Sequence, residues 1–146
     1  MKAKTLLTLA FAFFTVTLNT ACPRDIANKI SENDQLVDEY NNKKDEANNL
    51  AAELEGYGLH IYMASIFSTS QDYDSTWMSK SKSDLSKIQT KLNRYLELAG
   101  RMAELQQHDN VKIGVKAGEE DKVRRNRIGA KAYLDSLNKY LVDHPL

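Results

Sequence analysis

The sequence predicts an all-α protein, a small up-and-down bundle of about four helices. Over most of the chain, apolar residues recur at alternating steps of three and four, the spacing that lines one face of a helix. Glycine, serine or Asp-Asn breaks near residues 56–58, 79–83 and 109–110 divide this pattern into four stretches. Alternation typical of a strand is confined to residues 111–115, so we expect one short extended segment there and no sheet.

The first 21 residues have the pattern of a secretory signal peptide. Lys2 and Lys4 precede a largely apolar run from residue 6 to residue 18. Its length of about 13 residues suits the apolar core of a signal peptide and falls short of the roughly 20 needed to span a bilayer. Small Ala21 then precedes Cys22, so we expect cleavage between them, with residues 1–21 removed.

With the segment that ends Asn19-Thr20-Ala21-Cys22, the chain resembles a bacterial lipoprotein, although Asn19 stands where that family has Leu. The resemblance covers this segment alone. It implies cleavage before Cys22, attachment of lipid, including palmitate, to Cys22, and an anchor in the cell envelope facing the periplasm. In lipoproteins, retention in the inner membrane is associated with Asp as the residue after the lipid-bearing Cys. Here that residue is Pro23, so the resemblance favours the outer membrane.

Cys22 is the only cysteine, so an intramolecular disulfide is impossible, although exported proteins reach a compartment where disulfides form. Attachment of a lipid would consume this otherwise free thiol, and several acyl chains would hold the protein stably on a membrane. Two alternatives stay open: a soluble exported product with a free thiol, and an uncleaved anchor.

The mature chain, residues 22–146, has the size of one domain, with 22–24 as a short tether. Residues 22–79 contain 11 acids and 4 bases, whereas residues 80–146 contain 9 acids and 14 bases. We expect the two halves to face and neutralise one another across the bundle. The nearly balanced total gives no support for a nucleic-acid partner.

The first predicted helix runs from Asp25 to Glu55 and ends at Gly56-Tyr57-Gly58. Its apolar seam is interrupted by Asn33 and Lys44, which makes it a weak coiled-coil pattern and the candidate surface for a homodimer. The seam consists of Ile26, Ile30, Val37, Tyr40, Ala47, Ala51 and Leu54.

The second stretch, residues 59–78, has two interpretations. One helix accounts for the steps of three and four from Leu59 to Trp77. The alternative is a strand over residues 59–63 followed by a polar loop through residues 68–72, because serine and threonine compete with helical hydrogen bonds. The helix is favoured by length.

Two further helices follow. Ser81 and Asp84 approximate a capping box before the third helix, inside which we expect Gly100 to permit the close approach of a neighbour. Residues 111–116 are interpreted as a loop in preference to a strand. After Gly118, Glu119 begins the fourth helix with three acids in its first turn. His144-Pro145 ends it.

The sequence contains no pattern for catalysis, a cofactor or a metal. His60, His108 and His144 are scattered, so they are not expected to bind a metal, and no acid, base and nucleophile can be placed together. Asp72 begins a calcium-loop-like run of oxygen side chains, but Trp77 stands where that loop requires glycine. We therefore expect a protein that is not an enzyme.

Two surfaces are candidates for contact with a partner. The last helix carries a basic cluster that includes Lys122 and Arg125, and three of its members, Arg124, Arg127 and Lys131, fall on one side of the helix. This side could contact anionic headgroups, lipopolysaccharide phosphates or an acidic protein. Alternatively, it could face solvent or the first helix. Trp77 belongs to an aromatic group that we expect in the core, and it is the member best placed to be an exposed anchor.

These observations favour a membrane-tethered periplasmic lipoprotein that acts as a non-enzymatic binding or accessory factor of the envelope. The alternative is a soluble exported helical inhibitor, immunity or stress-response protein. The state of Cys22 separates the two.

Overall fold

The helices of this protein follow the apolar stripes of its sequence. The computed structural model describes residues 23–67, 73–116 and 118–146, and within these ranges it contains no strand. The all-α prediction is therefore confirmed. The helices are α1 Pro23–Gly56, α2 Ile61–Phe67, α3 Asp74–Met78, α4 Lys82–Leu105, α5 Asp109–Gly114 and α6 Glu119–Asp143. Three of them are long, where the sequence predicted about four.

The long helix α4 forms the centre of the bundle and packs against both α1 and α6. Lys82 Nζ donates to the Pro145 carbonyl at 2.8 Å, and Gln89 Nε2 donates to Asn138 Oδ1 at 2.8 Å, so α4 and α6 are antiparallel. The small helices cover the flanks, because α2 and α3 pack on α6 while α5 packs on α1.

The end of α1 follows the glycine signal in its sequence. The Leu59 amide donates to the Leu54 carbonyl at 3.0 Å and the Gly58 amide to the Glu55 carbonyl at 2.8 Å. Gly58 has φ +79, the left-handed conformation that favours glycine at this position. Leu54 and Leu59 are both fully buried, which adds the apolar contact that accompanies such a helix end.

Residues 59–78 are helical in two described pieces, α2 and α3. The predicted strand over residues 59–63 is therefore wrong, since α2 begins at Ile61. The prediction of a single helix over residues 59–78 is also wrong, because Tyr73 lies outside a helix, directly before α3. Residues 68–72, the alternative loop, lie outside the described residues.

The capping prediction for α4 is confirmed. Ser81 Oγ accepts from the Asp84 amide at 3.1 Å and donates to Asp84 Oδ2 at 2.8 Å. The prediction for Gly100 is wrong, because a Cβ there would meet nothing within 4 Å. The close approach is at Gly129 in α6 instead, where a Cβ would lie 1.7 Å from the Ile61 carbonyl oxygen of α2.

The extended segment predicted near residues 111–115 is replaced by α5, and the loop interpretation of this region is also wrong. Val111 lies within α5, whereas Val115 follows the end of that helix and has an extended backbone. Val111 is buried in the core, and Asp109 stands in the first turn of α5, where the helix dipole favours an acid. Packing on α1 thus decides a pattern that was ambiguous by itself.

Charge complementarity between the two halves of the chain is present along α1 and α4. Arg94 binds Glu46 through two hydrogen bonds of 2.7 and 3.0 Å, and Arg101 binds Glu39 through two of 2.8 and 3.0 Å. Lys91 pairs with Glu53 one step further along. The acids repeat every seven residues, so this ladder sets α1 antiparallel to α4 and confirms the expected neutralisation.

Candidate functional site

The predicted lipid-attachment residue, Cys22, lies outside the described residues, but the helix that follows it does not. Helix α1 begins at Pro23, and all residues from 27 to 32 are exposed, including Ile30 at 56%. Leu36 is the first apolar residue of α1 that packs against the core. Residues 27–32 of α1 therefore form an exposed helical segment, called the stalk below.

Most of the α1 seam is used inside the chain. Tyr40, Ala47 and Leu54 are buried, and Tyr40 Oη accepts a hydrogen bond from Gln106 Nε2 at 2.9 Å. A homodimer through α1, which stays a prediction, is therefore confined to the exposed turns around Ile30.

No helix among the described residues is long and apolar enough to cross a bilayer.

The predicted basic surface is brought together on the outer face of α6, where Arg124, Arg127 and Lys131 are all exposed. Two of the three have local partners. Arg124 pairs with Asp121 at 2.5 Å, and Lys131 pairs with Asp135 at 2.8 Å. Arg127 forms no ion pair with a described residue, so its charge is the least compensated on this face.

Asp121 also binds Arg125 at 2.6 Å. Its hydrogen bonds to Arg125 and Arg124 lower the pKa of the Asp121 carboxyl, which stays ionised at neutral pH. Much of the basic charge on α6 is thus neutralised within the helix, which weakens the case for an anionic surface as its partner.

Trp77 cannot be an exposed anchor, and that prediction is corrected here. Its side chain is 0% exposed, and its Nε1 donates to Ser136 Oγ at 2.9 Å. The indole meets the Tyr133 ring edge-on, with 6.0 Å between ring centroids. Trp77 is therefore the residue that attaches α3 to α6, as the expected core role of the aromatic group predicts.

The sequence analysis missed an apolar surface on α2. Ile61 and Ala64 face the core, while Tyr62, Met63 and Ile66 are between 44 and 50% exposed. Helix α2 is therefore apolar on both faces. A helix that packs on the core through one face normally has a polar outer face. The signal was present in the sequence Ile61–Phe67, which contains no charged residue.

A groove between α1, α4 and α6 was also not predicted. It has a volume of about 490 Å³, within the range typical of ligand pockets, roughly 300 to 1,000 Å³. Its lining comes from positions distant in sequence, including Ala47, Tyr95 and Asn126, so only the packing reveals it.

Among the residues that the structure describes, no three His, Cys, Asp or Glu side chains are grouped as metal ligands would be. The buried tyrosines have raised pKa values, chiefly through burial, as at Tyr73 and Tyr133. Neither hydroxyl is part of an acid-base pair that would indicate catalysis.

Comparison with protein-family models, curated proteins and solved structures finds no significant match to this chain. Interpretation of its function therefore depends on its own residues and geometry.

Proposed function

We propose that this protein is a lipoprotein of the cell envelope that faces the periplasm and acts as a non-enzymatic accessory factor by binding another protein. The observation that carries the proposal is the exposed start of α1. A helix that begins at Pro23, directly after the predicted lipid-bearing Cys22, would connect the membrane to the folded body without a flexible linker.

The dimensions of this stalk follow from helix geometry. From Pro23 to Leu36, where packing on the core begins, 13 steps of about 1.5 Å give roughly 20 Å. The stalk would hold the body beyond the headgroups of the membrane to which Cys22 is attached. Such a spacer suits a protein that must meet a partner at a set height above a bilayer.

The outer face of α2, formed by Tyr62, Met63 and Ile66, is the surface that we assign to the partner. Tyr62 lies beside Asp121 and Lys122 of α6, so an apolar centre adjoins a polar rim. Protein interfaces are enriched in tyrosine and methionine at their centre and have a polar rim. The occupant that fits is an apolar helix face of another envelope protein.

Fractionation tests the tether. The wild-type protein should sediment with membranes, and Cys22→Ala should move it to the soluble periplasmic fraction because the lipid is the proposed anchor and no described helix is long and apolar enough to span a bilayer. Wild-type protein in the soluble fraction would instead favour the exported inhibitor, immunity or stress-response alternative.

Site-specific photocrosslinking tests the surface. A photoreactive residue at Met63 should form a heterologous product in intact envelopes, whereas one at exposed Lys87 on α4 should not. Ile66→Glu should abolish the Met63 product without altering the circular dichroism spectrum. A product of twice the chain mass, or equal products at both positions, would contradict the assignment.

A further inference from the structure

The groove between α1, α4 and α6 has an apolar floor. Ala47 of α1, Ala99 and Met102 of α4, and Val123 of α6 all line it. Two of these four residues are alanines, and their small side chains leave the hollow that larger residues would fill. The floor therefore offers apolar contact to a side chain from outside the molecule.

The rim of the groove is positively charged. Lys44, Lys116 and Lys122 line it together with a single acid, Glu119. Lys44 lies 3.5 Å from Glu119, and the Lys116 amide also donates to that carboxylate, at 3.3 Å. Lys122 forms no ion pair with a described residue, so its ammonium group is available to an anion.

Asn126 lines the groove and has a side-chain oxygen without a partner among the described residues. Its side chain is only 8% exposed, and its Oδ1 accepts no hydrogen bond from the described residues. Burial raises the pKa of the Tyr95 hydroxyl, and a hydrogen bond from Asn126 offsets part of that rise. Oδ1 of Asn126 is therefore a buried acceptor for which no described residue supplies a donor.

Buried acceptors without donors are few in folded proteins, and a donor from a bound molecule is one way to satisfy them. Lys122 and Asn126 are four residues apart on α6 and both line the groove, separated by about 6 Å along the helix axis. A ligand that satisfies both must carry an anion and, close to it, an N–H or O–H donor. It must also present an apolar group to the floor.

We propose that this groove binds the carboxyl-terminal residue of a peptide with an apolar side chain. The terminal carboxylate lies near Lys122 and Lys44, the amide N–H of the same residue donates to Asn126 Oδ1, and the side chain packs between Ala47 and Ala99. Carboxyl-terminal capture is a known mode of peptide recognition, and such a residue carries the anion, the N–H donor and the apolar group that the groove can contact. The site shares Lys122 with the rim of the α2 face, its apolar floor is formed by other helices, and it does not depend on the lipid anchor.

The test uses the full chain with Cys22→Ser, which prevents lipid attachment and changes no described residue. The probe is N-acetyl-alanyl-leucine, added up to about 10 mM, with binding followed by nuclear magnetic resonance shifts of the backbone amides. We expect saturable shifts at residues lining the groove. Binding should weaken at least five-fold when the carboxylate is amidated and, separately, when the leucine nitrogen is methylated.

Variants separate the groove from the rest of α6. Lys122→Gln should weaken the free acid at least three-fold and leave the amidated probe unchanged. Lys131→Gln, an equal loss of charge at an exposed position away from the groove, should have no effect. Both positions are exposed, so neither variant endangers folding.

Asn126→Leu should remove the difference between the parent and N-methyl probes. Three results would overturn the proposal: no saturable shift, shifts outside the groove, or equal binding of the acid and its amide.

Discussion

Replacement of Gly129 by alanine should detach α2 from α6, although alanine is the better helix former. A Cβ at this position would lie 1.7 Å from the Ile61 carbonyl oxygen and 2.7 Å from the Ile61 carbonyl carbon. Both atoms belong to backbone, so the contact cannot be relieved by a side-chain rotation. Helix α2 must shift outward, and the burial of Ile61 and Ala64 is reduced.

The magnitude follows from two opposing terms. Alanine in a helix interior is favoured over glycine by up to about 1 kcal/mol, while overpacking of a tight contact costs about 1 to 3 kcal/mol. We expect Gly129→Ala to destabilise the fold by about 1 to 2 kcal/mol. The matched control is Gly100→Ala in α4, where nothing lies within 4 Å of the new Cβ. That variant should be stabilised by up to about 1 kcal/mol.

Urea unfolding followed by circular dichroism measures both variants against the parent chain. The two substitutions are chemically identical and both lie inside long helices, so their opposite signs isolate the contact with α2. A stabilised Gly129→Ala variant would refute the reasoning, because α2 would then not approach α6 at this residue.

Three further predictions concern the ion pairs, the tryptophan and the helix cap. Hydrogen bonds from Arg101 and Arg94 hold the pKa values of Glu39 and Glu46, respectively, below the ordinary value. The stabilisation that these ion pairs give the fold is therefore complete above about pH 4.5, and it is lost as the pH falls through the folded pKa values. Glu39→Gln with Glu46→Gln should therefore reduce the drop in urea midpoint between about pH 5 and about pH 3; an undiminished drop would contradict this. Trp77, the single tryptophan, should show blue-shifted emission that iodide barely quenches, and efficient quenching would show that it is exposed. Ser81→Ala should destabilise the fold by about 1 kcal/mol through loss of the cap on α4, whereas Ser83→Ala should change stability little.

The parts of the fold that the sequence predicted are those set by local chemistry. Gly58 ends α1 because its left-handed backbone suits glycine, and Ser81 begins α4 because its hydroxyl is within reach of the Asp84 amide. Amphipathic spacing located the long helices to within a few residues. Each of these signals lies within one or two turns of the residue that it determines.

The errors concern residues whose role depends on distant packing. The alternation over residues 111–115 fits a strand, yet residues up to Gly114 form α5, which packs on α1. Gly100 and Gly129 are both helical glycines, and only the position of α2 shows that Gly129 is the one in close contact. The alternative of an exposed Trp77 anchor is wrong as well, because the side chain is buried against α6, where its Nε1 donates to Ser136 Oγ.

The candidate surfaces show the same division. The side of α6 that carries Arg124, Arg127 and Lys131 was predictable from residue spacing, since it depends on one helix. The groove around Asn126 was not, because three helices contribute its lining.

The intact mass of the protein purified from envelopes tests the central claim most directly. The account predicts a chain that begins at Cys22, with a mass above that of residues 22–146 by the diacylglycerol and acyl groups of a lipoprotein. A mass equal to that of the unmodified chain, with a free thiol on Cys22, would contradict it.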